Sequence, residues 1–284
     1  MYDISLIDET FDINLSSNYH LSIQIGRKSF TYCILDSVRN KYIALKHFYF
    51  GDDIPVNALI ETVKEILKGE EYLTKKYKSI NAVFVSNKSI LIPKPLFQED
   101  NLSNYFKLNH TLNNNEEIIC NKLKNIDAYL VFSIYKELKT HLSKCFTGIK
   151  FYHQANTLID NNLMTYKNKL SLPSVFLNLS NDLFDIVVLE KNKLIFYNAF
   201  SFNEQNDFIY YLMNVYEQLN LNPESTELII SGEISKLSEH YKNIKKFIKL
   251  IKFSKLADSY SCSYKFNEVP GHRFSNLLNL ARCV

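Results

Sequence analysis

A repeated order of predicted elements within the 284 residues constrains the fold more than any other feature. In the first copy, apolar alternation and short apolar runs predict strands at residues 20–25, 30–35 and 42–50. A helix follows, with Asp53 as its N-cap, Pro55 in its first turn and Gly69 as its stop. Residues 82–85 then read as a short buried strand.

The second copy repeats this order, with strands predicted at residues 174–179, 183–189 and 194–202. Ser201 and Glu204 have the spacing of a capping box, ahead of a helix whose apolar stripe runs from Phe208 to Leu219. Residues 228–231 form another short buried strand, which ends at Gly232. Because β-β-β-α-β occurs twice about 150 residues apart, we expect two similar lobes with a cleft between them.

The lobes divide the chain at residue 172. Residues 1–172 form the first lobe, which the segment 101–172 completes with strands at 128–133 and 149–153 and helices at 136–144 and 156–166. Residues 173–284 form the second lobe. From Pro270 the chain predicts a final amphipathic helix, whose apolar side docks on a lobe or on a partner.

Composition excludes several classes of protein. Hydrophobic residues make up 46% of the chain and the net charge is +3, which indicates a folded protein and argues against a basic nucleic-acid-binding module. Five cysteines without a C-x-x-C pair favour reduced thiols, and the seven histidines lack metal-ligand spacing. With no signal peptide and no long apolar run, we expect a cytoplasmic protein without a membrane span or a metal site.

The duplicated order resembles the actin, Hsp70 and hexokinase superfamily, an α/β class with a duplicated ribonuclease H-like fold. In that fold each lobe is a mixed sheet flanked by helices. At finer grain the chain resembles a bacterial family, domain-of-unknown-function family 3822, which has an actin-like ATPase fold. The resemblance rests on five stretches: residues 21–26, 30–36, 109–110, 208–223 and 231–234.

The resemblance implies a nucleotide cleft, whose first phosphate hairpin departs from the superfamily pattern. Gln24 stands where an Asp normally orients magnesium-bound water, and Gly26 is the one glycine left in the turn. An amide cannot supply the negative charge of that shell, although Lys28 can still reach a phosphate.

The second phosphate hairpin normally reads Asp-x-Gly-Gly-Gly-Thr-x-Asp. Aligned by its strand, the chain has Asn178 for the first Asp and Asp185 for the last, with Ser180, Asn181 and Asp182 in place of the glycines. A turn without glycine brings its backbone less close to a phosphate, and Asp182 adds a repelling charge. We expect Arg27 and Lys28 to face Asn181 and Asp182 across the cleft and partly fill the phosphate position.

Two further positions belong to the implied site. Gly232 keeps half of the Gly-Gly pair that cradles adenosine, although a strand that ends in a glycine turn explains it equally well. Gln154 follows a predicted strand where the actin branch has a water-positioning Gln, and an ordinary polar residue at a strand end is the alternative.

We therefore expect a non-catalytic interaction or scaffold module with degenerate phosphate loops and an unknown protein partner. A divergent ATPase that binds ATP and magnesium is the alternative, supported by Gly26, Gly232 and Gln154. A second alternative is RNA or an acidic partner bound by a lysine run, which also reads as a solvated face. That run consists of Lys242, Lys245, Lys246, Lys249, Lys252 and Lys255.

Overall fold

The computed structural model describes residues 4–51 and 54–283, so the predicted N-cap Asp53 lies outside the described residues. As far as residue 173, the strands are β1 (Ile4–Ile7), β2 (Tyr19–Ile25), β3 (Ser29–Asp36), β4 (Lys41–Tyr49), β5 (Ser79–Phe84), β6 (Ser89–Pro93), β7 (Glu116–Lys122), β8 (Ala128–Tyr135) and β9 (Lys150–His153). They are followed by β10 (Ser174–Ser180), β11 (Leu183–Glu190), β12 (Lys193–Ser201), β13 (Glu227–Gly232), β14 (Ile251–Phe253) and β15 (Ser261–Cys262).

The α-helices lie between these strands and at the end of the chain. They are α1 (Val56–Gly69), α2 (Leu102–Lys107), α3 (Lys136–Cys145), α4 (Gln154–Thr165), α5 (Gln205–Gln218), α6 (Glu239–Phe247), α7 (Ser275–Leu278) and α8 (Leu280–Cys283). None of those within residues 4–51 and 54–283 has the length and hydrophobicity that a bilayer crossing requires.

The described strands form three sheets. The first has the order β1-β4-β3-β2-β5-β9, with β15 beside β4, and the second has the order β12-β11-β10-β13-β14. In both sheets an antiparallel meander is extended by parallel strands, β2 to β5 and β10 to β13. The duplicated α/β fold predicted from the sequence is confirmed. The third sheet, β6-β8-β7, was not expected as a sheet, because only β8 showed a clear strand pattern.

Helices cover the sheets with the apolar faces that their periodicity predicts. In α1 the buried residues Leu59, Ile60, Val63 and Leu67 join the cluster of the first sheet. Burying one such side chain stabilises the fold by about 1.5–3 kcal/mol. In α5, Phe208, Leu212 and Val215 join the cluster of the second sheet. The first cluster also includes Phe176, Val187, Leu189 and Ile229 of the second sheet, so the two sheets pack on each other through shared apolar side chains.

Two predicted helix starts differ from the structure. The predicted capping box of Ser201 and Glu204 is wrong, because Ser201 is the last residue of β12 and pairs with Leu183 in an extended conformation. Helix α5 begins instead after Glu204, whose N–H donates to the Asp207 carboxylate at 3.2 Å. Pro55 precedes α1 as its N-cap residue and does not lie in the first turn.

The end of the chain returns to the first sheet. Where one amphipathic helix was predicted, α7 and α8 are separate four-residue helices. Phe274, Leu277 and Leu278 pack with Leu35 and Tyr42 of the first sheet, so the segment docks within its own chain. The division of the chain into two lobes at residue 172 stays a prediction. We assigned residues 173–284 to the second lobe, whereas Phe274, Leu277 and Leu278 pack on the first sheet.

Candidate functional site

The tips of two equivalent hairpins meet across the cleft. The β2–β3 hairpin turns at residues 26–29, where the Gly26 N–H donates to the Ser29 carbonyl at 2.9 Å. The β10–β11 hairpin turns at Asn181 and Asp182. Lys28 Nζ lies 3.5 Å from Asp182 Oδ2, so the expected contact of opposite charges is present for this pair. Since the Asp182 side chain is 50% exposed, the ion pair contributes at most about 1 kcal/mol.

A cavity of about 390 Å³ lies between the hairpins, α1 and the third sheet. Such a volume is within the range of small-molecule sites, roughly 300–1,000 Å³. Its charged lining is balanced, because Arg27, Lys28 and Lys88 are matched by Glu116, Asp182 and Glu233. Lys88 Nζ lies 2.8 Å from both carboxylate oxygens of the buried Glu116. The cavity therefore offers no net positive charge to a polyphosphate.

A carboxylate lies where the resemblance places phosphate-binding glycines. The N–H of Asn181, at the tip of the second hairpin, donates to Glu233 Oε2 at 3.2 Å. Burial raises the pKa of Glu233, and Arg273 and the Asn181 N–H act in the opposite direction. The backbone donor that a phosphate would use is thus occupied by the chain itself. The sequence did not single out Glu233, since 52 residues separate it from Asn181.

Gly232 is required by the backbone. Its φ is +86°, and a Cβ on it would lie 2.0 Å from the Leu179 carbonyl oxygen. Its N–H donates to the His272 carbonyl at 2.9 Å, and the next N–H, of Glu233, donates to Leu179 O at 2.8 Å. Gly26 differs, because a Cβ there meets its nearest atom, Val85 Cβ, at an ordinary 3.6 Å. The backbone thus requires glycine at position 232 without a nucleotide, and it does not require glycine at position 26.

The positions of the two magnesium-orienting carboxylates are held by amides. Gln24 is half-buried and Asn178 is buried, with Asn178 Oδ1 accepting from Ser231 Oγ at 3.0 Å. Both line a cavity of about 10 Å³, the size of a single water. Ser180 and Glu233 also line it, and Asp185 is hydrogen-bonded to Asn178. Both carboxylates already have partners within the chain, Asn181 for Glu233 and Gln154 and Tyr197 for Asp185. These residues do not fit a magnesium ion, which prefers carboxylate oxygens. Within the described residues, no group of three His, Cys, Asp or Glu is placed to hold a metal.

Gln154 and Asp185 connect the two sheets. Gln154 Nε2 donates to the Ser86 carbonyl at 2.6 Å and to Asp185 Oδ1 at 3.2 Å, and Tyr197 OH donates to the same oxygen at 3.0 Å. Burial raises the pKa of Asp185 to about 7, although the hydrogen bonds from Tyr197 and Gln154 lower it. Gln154 is fully buried and bound at both ends. We therefore assign it to the contact between sheets, and a water-positioning role has no support from its contacts.

Comparison with known proteins places the chain in a family. Residues 8–251 match the model described as protein of unknown function, DUF3822. The chain belongs to the DUF3822 family. No curated protein sequence matches it significantly.

Solved structures confirm the fold of this DUF3822 chain. It is similar to a Bacteroides thetaiotaomicron protein with actin-like ATPase fold and unknown function, with 26% identity, 86% of this chain and 94% of that chain covered, and a TM-score of 0.79. It is also similar to a chain of the PilM–PilN type IV pilus biogenesis complex, with 13% identity, 93% and 98% coverage and a TM-score of 0.55. The resemblance to an actin-like fold and to this family is thus confirmed.

A pair formed by half-buried Ser86 and buried His153 in the DUF3822 chain has the elements of a nucleophilic site but not its proton arrangement. His153 Nε2 lies 3.3 Å from Ser86 Oγ, beside the larger cavity. However, Nδ1 accepts from the Ala155 N–H at 3.2 Å, which places the ring proton on Nε2. Nε2 then donates to the Ser86 carbonyl at 3.0 Å. Burial lowers the pKa of His153 to about 3, so the neutral ring is a helix cap and not a base for Ser86.

The six lysines of the predicted run are exposed on α6, on β14 and just beyond them. Three of them have partners among the described residues. Lys249 Nζ lies 3.0 Å from Glu224, Lys252 pairs with Glu227, and Lys246 donates to Asn243 at 2.6 Å. The run is therefore partly neutralised by neighbouring loops.

Proposed function

We propose that this DUF3822 protein is a non-catalytic interaction module that acts in the cytoplasm on a protein partner. The observation that carries the proposal is the hydrogen bond from the Asn181 N–H to the Glu233 carboxylate. A phosphate at this turn would have to displace that carboxylate or lie beside it. Two like charges about 4 Å apart repel by about 1–4 kcal/mol in the range between water and a protein surface.

The position of the cavity also argues against nucleotide binding. Its lining extends from the hairpins toward α1 and the third sheet, through Leu59 and Tyr135. From the turn at Gly232, where the resemblance places adenosine, only Glu233 contributes to it. A ligand in this cavity would not follow the path that connects phosphates to adenosine in the superfamily.

Two other observations support an interaction role. A neighbour in fold belongs to the PilM–PilN complex, in which one protein is paired with another. The cysteines are free, as expected for reduced thiols in a cytoplasm.

Calorimetric titration of the full chain with ATP and magnesium tests the proposal, together with a phosphate-release assay. We expect no saturable heat up to about 1 mM ATP. A dissociation constant above about 1 mM corresponds to a binding free energy smaller than about 4 kcal/mol in magnitude. Submillimolar binding accompanied by hydrolysis would refute the proposal.

A divergent ATPase remains the second candidate because the cavity is large enough for a small molecule. That candidate needs Lys28, the cation at the first hairpin tip, to contact a phosphate. Lys28→Ala should then abolish turnover, whereas Lys107→Ala, an exposed lysine elsewhere, should not. Gly232 is unsuitable for this test because any side chain there collides with Leu179.

A further inference from the structure

The end of the second sheet that points away from the cleft gathers loops that are distant in sequence. Strands β10, β13 and β14 are parallel, with Ser174 beside Glu227 and Leu228 beside Ile251, so their first residues lie at the same end of the sheet. The β11–β12 turn, at residues 191–192, lies at this end too. With five strands about 4.8 Å apart, this end of the sheet is about 19 Å wide. We call it the distal face; it comprises residues 166–173, 190–193, 217–227 and 245–252.

Hydrogen bonds fix the loops of the distal face to one another. Asn168 and Asn192 exchange two bonds of 2.7 Å, which join the segment before β10 to the β11–β12 turn. The Lys249 N–H donates to the Pro223 carbonyl at 3.1 Å, and Leu228 donates to Leu250 at 2.8 Å. The face is therefore one surface whose parts keep their relative positions.

The distal face is basic. Its acids are Glu190, Glu217, Glu224 and Glu227, and two of them pair with lysines of the face. Against these four stand eight lysines, a difference of four positive charges among the described residues. The lysines are Lys167, Lys169, Lys191, Lys193, Lys245, Lys246, Lys249 and Lys252. Lys255 is excluded, since it follows β14 at the opposite end of the strand.

Apolar side chains project from the same face. Leu172, Phe247 and Leu250 are 62%, 49% and 43% exposed, although large apolar residues are usually buried. They lie on two of its segments: Leu172 is in the loop before β10, Phe247 ends α6 and Leu250 is in the loop that follows. Separate apolar side chains among exposed lysines are suited to an anionic surface with an apolar interior.

We propose that the distal face binds the surface of an anionic lipid bilayer. Lysines carry the attraction to lipid headgroups, and Leu172, Phe247 and Leu250 enter the boundary of the acyl chains. All the cations are lysines, which act as point charges and lack the bidentate geometry of arginine, so they suit a diffuse field of charge better than one oriented phosphate. Both cavities described above lie at the cleft, so the face binds by its outer surface.

Sedimentation with vesicles tests this proposal on the full chain. We expect binding to phosphatidylcholine vesicles that contain about 30% phosphatidylglycerol and no binding to phosphatidylcholine alone. Binding should fall steeply between about 0.05 and 0.5 M salt. The triple variant K245E/K246E/K249E should lose at least about tenfold in affinity. The matched control K68E/K107E/K144E reverses three exposed lysines elsewhere and should bind as the wild type does.

A second pair of variants tests the apolar contribution. F247S/L250S should weaken binding severalfold, and Tyr210→Ser, which changes an exposed aromatic residue on α5, should not. The proposal is overturned if the wild type does not bind anionic vesicles, if the lysine control loses as much as the distal variant, or if F247S/L250S binds normally. Binding of a single-stranded RNA or of polyglutamate, without binding to vesicles, would also overturn it and would assign the face to another polyanion.

Discussion

The Asn181 N–H donates to the Glu233 carboxylate at 3.2 Å, at the hairpin tip where the resemblance implies a phosphate. Beside it, Lys28 reaches Asp182 from the other hairpin. Both contacts are made by groups of the DUF3822 chain itself, so the tips of the two hairpins have partners without a ligand.

Asp185→Asn should make stability less dependent on pH. Burial raises the pKa of Asp185 from its ordinary 3.8 to about 7 in the folded state, so the folded state holds a proton that the unfolded state releases between about pH 4 and pH 7. Stability therefore falls as pH rises through this window and is constant above it. The loss is at most on the order of 4 kcal/mol. The amide of Asn cannot ionise, and its carbonyl oxygen still accepts from Gln154 and Tyr197.

Urea denaturation at about pH 5 and pH 8 checks this prediction. Asp185→Asn should be more stable than the wild type at pH 8 by about 1–3 kcal/mol, with a smaller difference at pH 5. Asp127→Asn, which alters a 76% exposed side chain, is the control and should change neither value. An equal loss of stability in Asp185→Asn at both pH values would contradict the assignment.

Gly232→Ala should disrupt the fold, because the new Cβ would lie 2.0 Å from a backbone oxygen at a φ of +86°. Backbone strain and overpacking together should cost at least about 3 kcal/mol. Gly26→Ala is the matched control, since its nearest contact would be 3.6 Å. Thermal unfolding of both variants is the measurement. Equal thermal unfolding midpoints for the two variants would show that position 232 has room for a Cβ, contrary to the contact described.

Lys28 and Asp182 should be coupled only weakly. A double-mutant cycle with Lys28→Ala and Asp182→Ala should give a coupling of at most about 1 kcal/mol, because the Asp182 carboxylate is half exposed. Urea unfolding at low and high salt provides the values, and the coupling should shrink at high salt. A coupling well above 2 kcal/mol that is insensitive to salt would instead indicate a desolvated pair.

Much of the fold followed from local patterns. Strand β3, buried along its whole length, and helix α1, with one buried face, have the periodicities that the sequence shows directly. Strand β7 was missed because Glu116 and Lys122 bracket a short, half-buried segment. The start of α5 was misplaced because β12 continues through Ser201, which only pairing with Leu183 reveals.

The site was predictable in part from the superfamily resemblance. That resemblance, aligned by the strand pattern, located Gln24, Lys28, Asn178 and Asp182 and placed Lys28 opposite Asp182. Glu233 was missed, because its partner Asn181 is brought near by the parallel pairing of β10 and β13. The contact between His153 and Ser86 was missed for a similar reason, since 67 residues separate the two.

The amide resonance of Asn181 provides the most direct test of the central claim. In a two-dimensional NMR titration with ATP and magnesium, the account predicts no saturable shift of this resonance in the wild type up to about 1 mM. Glu233→Ala frees the N–H and should allow a shift, while Glu239→Ala, an exposed acid at the start of α6, should behave as the wild type does. A saturable shift of the wild-type Asn181 resonance with a submillimolar midpoint would contradict the account, because the phosphate position would then be open.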